Sequence, residues 1–165
     1  MKINIIHIVL DHLKTLRNIR SGKISITDIV VFFIVPLIIS YLLVWCQIFS
    51  DIITGDLIKA IAIFSAFLFN MLAIVNGALK SDDVDRNRIK KIYAQEIHSN
   101  LSFVIIVGII LTLTLISQSM IAGNLTNYKE TYYYQIIQGV NYFFIGVFVL
   151  TLLMCLNRVY ILLKN

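Results

Sequence analysis

The sequence predicts an all-α, polytopic membrane protein with four transmembrane helices and an N-terminal amphipathic cytoplasmic helix. Composition is the first observation behind this. Of 165 residues, 59% are hydrophobic and 14% charged, where an ordinary soluble domain has about a quarter charged. The mean hydropathy of +0.87 leaves too little polar surface to cover a soluble globule. The second observation is four long runs almost free of charge, each near the ~20 residues that span a bilayer as a helix. The third is a steep asymmetry of Lys and Arg about those runs. Composition thus excludes a cytosolic globular enzyme, and a single proline with seven glycines excludes a disordered or collagen-like chain. The length suits one domain.

The spans are expected at residues 29–49, 60–79, 101–122 and 136–156. Each must be helical, because backbone groups have no water to bond in hydrocarbon and the runs lack the alternation of a barrel strand. The first run is too long for the apolar core of a signal peptide, and no small-residue cleavage site follows it. Trp45 before Cys46 also argues against a lipoprotein site. Pro36 is expected to kink this span, with Ser40 one turn on.

Residues 1–28 precede the first span. Ile6, Val9, Leu10, Leu13 and Leu16 recur at helical spacing opposite a stripe of His7, Asp11, Lys14 and Asn18, so this helix lies in the headgroup layer or against a partner. Residues 80–98 form a second, basic cytoplasmic segment. Ser81 or Asp82 is the expected N-cap, and Ile89, Ile92, Tyr93 and Ile97 carry one apolar face directly into the third span. Twelve of the 14 Lys and Arg lie in or beside these segments or at the C-terminus, leaving Lys59 and Lys129 for the other side. Both termini are therefore expected in the cytoplasm. Trp45, Tyr128, Tyr132, Tyr133 and Tyr134 then fall at the outer interface.

Candidate functional residues lie inside the spans. Ala62, Ala66, Asn70, Ala73 and Gly77 follow one another at steps of four, four, three and four. Ser65 lies beside this stripe and Asn76 near its inner end. Small residues let helices approach closely, and an amide bonds across the contact. The stripe reads either as a packing seam or as the lining of a narrow polar path in an oligomer. Gln118, Gln138 and Asn141 need polar partners, and they are expected to border a wet outer cavity that tapers toward the level of Asn70. Thr112, Thr114, Ser117 and Ser119 can bond their own backbones one turn earlier. No ionisable residue is expected deep in a span, which argues against a proton-coupled transporter.

The basic residues Lys14, Arg17, Arg20, Lys23, Arg86, Arg88, Lys90 and Lys91 form two segments suited to anionic lipid. Their charge permits, without singling out, a cytoplasmic regulatory partner or a nucleic-acid oligomer. Catalytic and cofactor chemistry is not expected. Cys46 and Cys155 lie near opposite faces, and His7 and His12 point to different faces of one helix. Glu96 and His98 form an acid–base pair at most, with no nucleophile beside them. Neither a phosphate-binding loop nor a nucleophile elbow occurs. No metal or cofactor is expected, and an enzyme is not.

The topology resembles that of small four-span membrane effectors of bacterial anti-phage defence. It is most similar to the membrane component of Hailong systems, with looser parallels in Kiwa and the lambda Rex exclusion system. The resemblance covers most of the chain, and rests on the run from Phe64 to Asn70 (FSAFLFN) and on the entry to the third span from Tyr93 to Phe103 (YAQEIHSNLSF). It implies an oligomeric effector, held silent by a cytoplasmic partner or ligand, that permeabilises or depolarises the membrane when released. In Hailong-like systems that ligand is a DNA oligomer. A homo-oligomer is expected, a tetramer by preference, because four helices are too few to enclose an aqueous channel. The alternative is a membrane anchor or assembly subunit for a partner protein, without transport of its own. A small-solute exporter is disfavoured, since no internal repeat or broken helix is apparent.

The topology is directly testable. A reporter active only outside the cytoplasm should be silent when fused after Asn165 and active when inserted near Lys129. The reverse pattern would contradict the predicted orientation.

Overall fold

A computed structural model describes residues 5–16, 26–46, 51–80, 88–124 and 132–164. Every element among them is helical. Helix α1 spans Ile5–Thr15; the next helical stretch consists of α2 (Ile26–Ile29), a π-helical segment Val30–Ile34 and α3 (Val35–Trp45). Three long helices follow: α4 (Asp51–Leu79), α5 (Arg88–Asn124) and α6 (Tyr132–Lys164). Four segments are long and apolar enough to cross a membrane: Thr27–Trp45, Thr54–Gly77, Lys91–Gly123 and Tyr132–Tyr160. The protein is therefore a multi-pass membrane protein with the expected number of spans.

The helices run beyond the expected bounds of the spans. At ~1.5 Å per residue, the 37 residues of α5 extend roughly 55 Å, well past a ~30 Å hydrocarbon core. The basic segment and the third span are thus one helix from Arg88 onward. The caps expected at Ser81 or Asp82 lie outside the described residues.

The packing is an open layer, not a closed bundle. Helix α3 rests on α6, α6 on α5, and α5 on α4, while α1 lies across α5; among the described residues α3 and α4 do not meet. Half of the α5 span is buried within the protein, against 17% of the α4 span and 11% of the first. Helix α5 is the hub, and α3 and α4 are the two edges.

Heptads explain the order. On α4 the residues turned inward are Thr54, Ile58, Ile61, Ser65, Leu68, Leu72, Val75 and Leu79. They alternate in steps of four and three. The same alternation runs on α5 through Ala94, Ile97, Leu101, Val104, Gly108, Leu111, Leu115 and Gln118, and on α6 through Tyr134, Gln138, Asn141, Ile145, Phe148, Leu152, Cys155 and Val159. This period keeps one seam facing its neighbour over many turns. Gly108 sits where the two seams cross. A Cβ there would fall 3.1 Å from Ser65 Oγ and 3.2 Å from Phe148 Cε2, so α4 and α6 both close on α5 at that level.

The first span docks by a different device. Pro36 has no amide hydrogen to donate one turn back, and the turn before it widens to π geometry: Val35 N–H donates to Val30 O. Pro36 is buried against Gly146 of α6, and one turn on, Ser40 Oγ donates to Gly139 O at 2.6 Å. The neighbouring Leu37, Ile38, Ile39, Tyr41 and Leu42 are all exposed, as a lipid-facing edge requires. A Cβ at position 146 would stand 2.8 Å from Pro36 Cβ, whereas one at Gly55 meets nothing within 4 Å. Gly146→Ala should therefore lower stability by about 1–3 kcal/mol through overpacking, and Gly55→Ala should not. Thermal unfolding of the two variants in detergent checks this.

Candidate functional site: two polar clusters at opposite ends of the hub

The structure divides the polar residues of the hub into two clusters. At the Tyr134 end, Asn141 Nδ2 donates to Gln118 Oε1 at 2.6 Å, and Gln118 Nε2 donates to Tyr134 OH at 3.1 Å. Gln138 Nε2 donates to Tyr142 OH at 2.9 Å. Gln118, Gln138, Asn141 and Tyr134 are all buried. A cavity of about 30 Å³ adjoins them, lined also by Thr54 and Leu115, which is room for a water. Asn141 Oδ1 is buried without a hydrogen-bond partner. The amides thus hold α5 to α6 by direct hydrogen bonds. Tyr134 belongs to this core, unlike Tyr132 and Tyr133, which are exposed as an aromatic belt requires.

Helix α4 places the small-residue stripe elsewhere. Ala62, Ala66, Asn70, Ala73 and Gly77 are all exposed, as is Asn76. They lie roughly 140° around the helix from the heptad seam at ~100° per residue. Ser65 belongs to the seam and faces Gly108. Asn70 therefore does not join Gln118, Gln138 and Asn141 in one cavity of the protomer; the stripe and the amide cluster are on different surfaces. The side chains of Thr112, Thr114 and Ser117 bond the carbonyls of Gly108, Ile110 and Leu113. That is the local bonding expected of them.

The second cluster ties α1 to the opposite end of the hub. His12 Nδ1 lies 2.8 Å from Asn100 Oδ1. Thr15 Oγ1 lies 2.7 Å from both Asn100 Oδ1 and His12 O. Because Asn100 Oδ1 accepts, Nδ1 carries the imidazole hydrogen and Nε2 is left as a bare lone pair. The ring stacks on Phe103 with centroids 3.8 Å apart and planes 4° from parallel. Arg158 of α6 completes the joint. Its Nη1 donates to Glu96 Oε2 of α5 at 2.8 Å, and its Nη2 to Thr15 O at 2.7 Å. One guanidinium therefore joins α5, α6 and the C-terminal end of α1, where helix carbonyls lack partners and cations are favoured.

His12 and Asn100 are fully buried, and His12 Nε2 and Asn100 Nδ2 have no hydrogen-bond partner. Each such atom carries a desolvation penalty of about 1–3 kcal/mol. Burial, and secondarily the nearby Arg158 charge, outweigh the Asn100 hydrogen bond and push the His12 imidazole down to about 4. At neutral pH the ring is uncharged.

The sequence counts Arg158 among the cytoplasmic C-terminal charges and allows Glu96 and His98 an acid–base pair at most; in the structure the partner of Glu96 is Arg158. Arg158 and Glu96 form an ion pair, with side chains 14% and 17% exposed. Residues 96 and 158 meet because the α5 and α6 heptads run antiparallel, which no local spacing reveals. Of the candidate polyanion-binding residues, Lys14 pairs with Asp11 at 2.8 Å, and that pairing lowers the Asp11 pKa. Lys91 is half-buried. Arg17, Arg20, Lys23 and Arg86 lie outside the described residues, as do the side chains of Arg88 and Lys90 on the first turn of α5. Cys46 and Cys155 are free thiols, one exposed and one buried. Among the described residues no group of His, Cys, Asp and Glu is arranged to hold a metal ion.

No family model, curated protein or solved structure matches this chain.

Arg158→Gln should cost about 3 kcal/mol, because it leaves Glu96 uncompensated and Thr15 O unbonded. Glu96→Gln should cost less, since Arg158 keeps the α1 carbonyl. The double variant should recover part of the loss, a coupling that a double-mutant cycle of thermal unfolding in detergent measures.

Proposed function

We propose that this chain is an oligomeric inner-membrane effector that permeabilises or depolarises the membrane once freed from cytoplasmic inhibition, in defence against phage. One observation supports this reading above the others. Helix α4 commits its heptad seam to α5 and leaves the opposite face, with Ala62, Ala66, Asn70, Ala73 and Gly77, uncovered at the edge of an open layer. An amide turned toward lipid is costly, and small residues are of no use to a lipid-facing helix. A second copy packed on this face satisfies both. Four copies related by an axis would bring four such faces together, with the Asn70 amides near the axis as the polar part of a path.

The control of such an effector requires a ligand or partner that binds the closed state better than the open one. The basic segments containing Lys14, Arg17, Arg20, Lys23, Arg86, Arg88, Lys90 and Lys91 suit a polyanion such as a nucleic-acid oligomer, whose binding would weaken steeply with salt. The chain carries out no chemistry of its own in this reading.

Expression of the wild-type chain in a bacterial host with a membrane-potential dye tests the proposal, alongside Asn70→Leu and an Ala66→Cys cross-linking variant. Depolarisation by the wild type, its loss in Asn70→Leu, and cross-linked species larger than the protomer at position 66 are expected. Cross-linking without depolarisation in any genetic context would favour the anchor or assembly subunit. Absence of both would contradict the oligomeric reading.

A further inference from the structure

We propose that α1 is a proton-released strap: it docks on α5 and α6 through His12, Thr15, Asn100 and Arg158, and uptake of a proton by His12 frees it to lie on the bilayer surface. The first support is that α1 has three faces. Ile8, Val9, His12, Thr15 and Leu16 turn toward the hub; Ile6, Leu10 and Leu13 are exposed; His7, Asp11 and Lys14 form the polar side. The exposed apolar face is suited to the headgroup boundary whether or not α1 is docked. On release, Val9 and Leu16 extend that face, so the helix has a second stable location.

The docked location is specified by polar groups and is sensitive to charge. His12 offers one hydrogen, from Nδ1, and Asn100 Oδ1 accepts it. Nε2 is buried and faces no acceptor, so a proton there would put a positive charge on the ring and leave a buried N–H unbonded. The charged groups around it give no relief. From α6 comes the Arg158 guanidinium, of the same sign; from α5 comes Glu96, already paired with Arg158 at 2.8 Å. On α1 itself, Asp11 and Lys14 pair with each other. Phe103, stacked on the ring, contributes only its face. In the released helix His12 lies at the boundary between the apolar and polar sides, where a charged imidazole reaches water and lipid phosphate.

The sign of the pH dependence follows. The imidazole is pushed down to about 4 when docked, from 6.5 when free, so the released state binds the proton more tightly. Docking is therefore at full strength above about pH 6.5 and weakens by about tenfold per pH unit as pH falls from 6.5 toward 4. Below about 4 there is no further change. The inference does not depend on the function proposed above, because its test reads where α1 lies and not whether ions pass.

Spin labels at Asp11→Cys and Ser99→Cys, which face each other across the groove of about 220 Å³ between α1 and α5, report the docking distance in lipid nanodiscs. Cys46→Ser and Cys155→Ala remove the native thiols. At about pH 7.5 a single short distance is expected, and at about pH 4.5 a longer population should dominate. With His12→Leu added, the short distance should persist at both. An unchanged distribution in the parent, an equal shift in His12→Leu, or a long distance already at neutral pH would each overturn the proposal. If His12→Leu fails to insert, His12→Gln serves, being equally unable to take up a proton.

Discussion

In a bilayer the apolar face of a helix gains little by leaving lipid for another helix, so ordinary hydrophobicity does not choose partners. The arrangement here depends on what remains: close approach at small residues, and polar groups that must find each other inside the protein. Gly108 admits α4 and α6 to the same level of α5, and Gly146 admits Pro36. Gln118 and Asn141 bond at one end of the hub, and Glu96 and Arg158 at the other. Between them, heptads of mostly aliphatic residues set the spacing. Helix α5 is central because it carries a member of each polar pair and the glycine at the crossing.

The same constraint decides what the sequence reveals. The number and approximate position of the spans are legible, since both lipid and core demand apolar residues over ~20 positions. For that reason the heptads are hidden: a helix apolar on every side shows no hydrophobic period. Their trace lies in the polar and small residues alone, in Thr54, Ser65, Ala94, Gly108, Gln118, Gln138 and Asn141. The stripe from Ala62 to Gly77 has similar spacing but lies on the other face of α4, and only the structure separates the two. Likewise, the amphipathic pattern of residues 5–16 reveals a helix. It does not reveal that His12 and Thr15 form the docking face, because Asn100 and Arg158 are 85 or more residues away.

Two features of this fold are unfinished within one copy. The layer is open, with α3 and α4 as separate edges, and α4 turns two amides and four small residues outward. Helix α1 is held by a network in which two buried atoms lack partners. The first points to association with another copy and the second to a contact that charge can undo. A cluster that is only partly satisfied is a weak choice for permanent attachment, but it suits an element that must detach.

The claim that α4 is completed by another copy is tested most directly by the intact mass of the protein extracted in lipid nanodiscs at native abundance. A discrete multiple of the 18.9 kDa protomer is expected, with the tetramer preferred. A protomer alone, persisting as concentration in the bilayer rises, would contradict it.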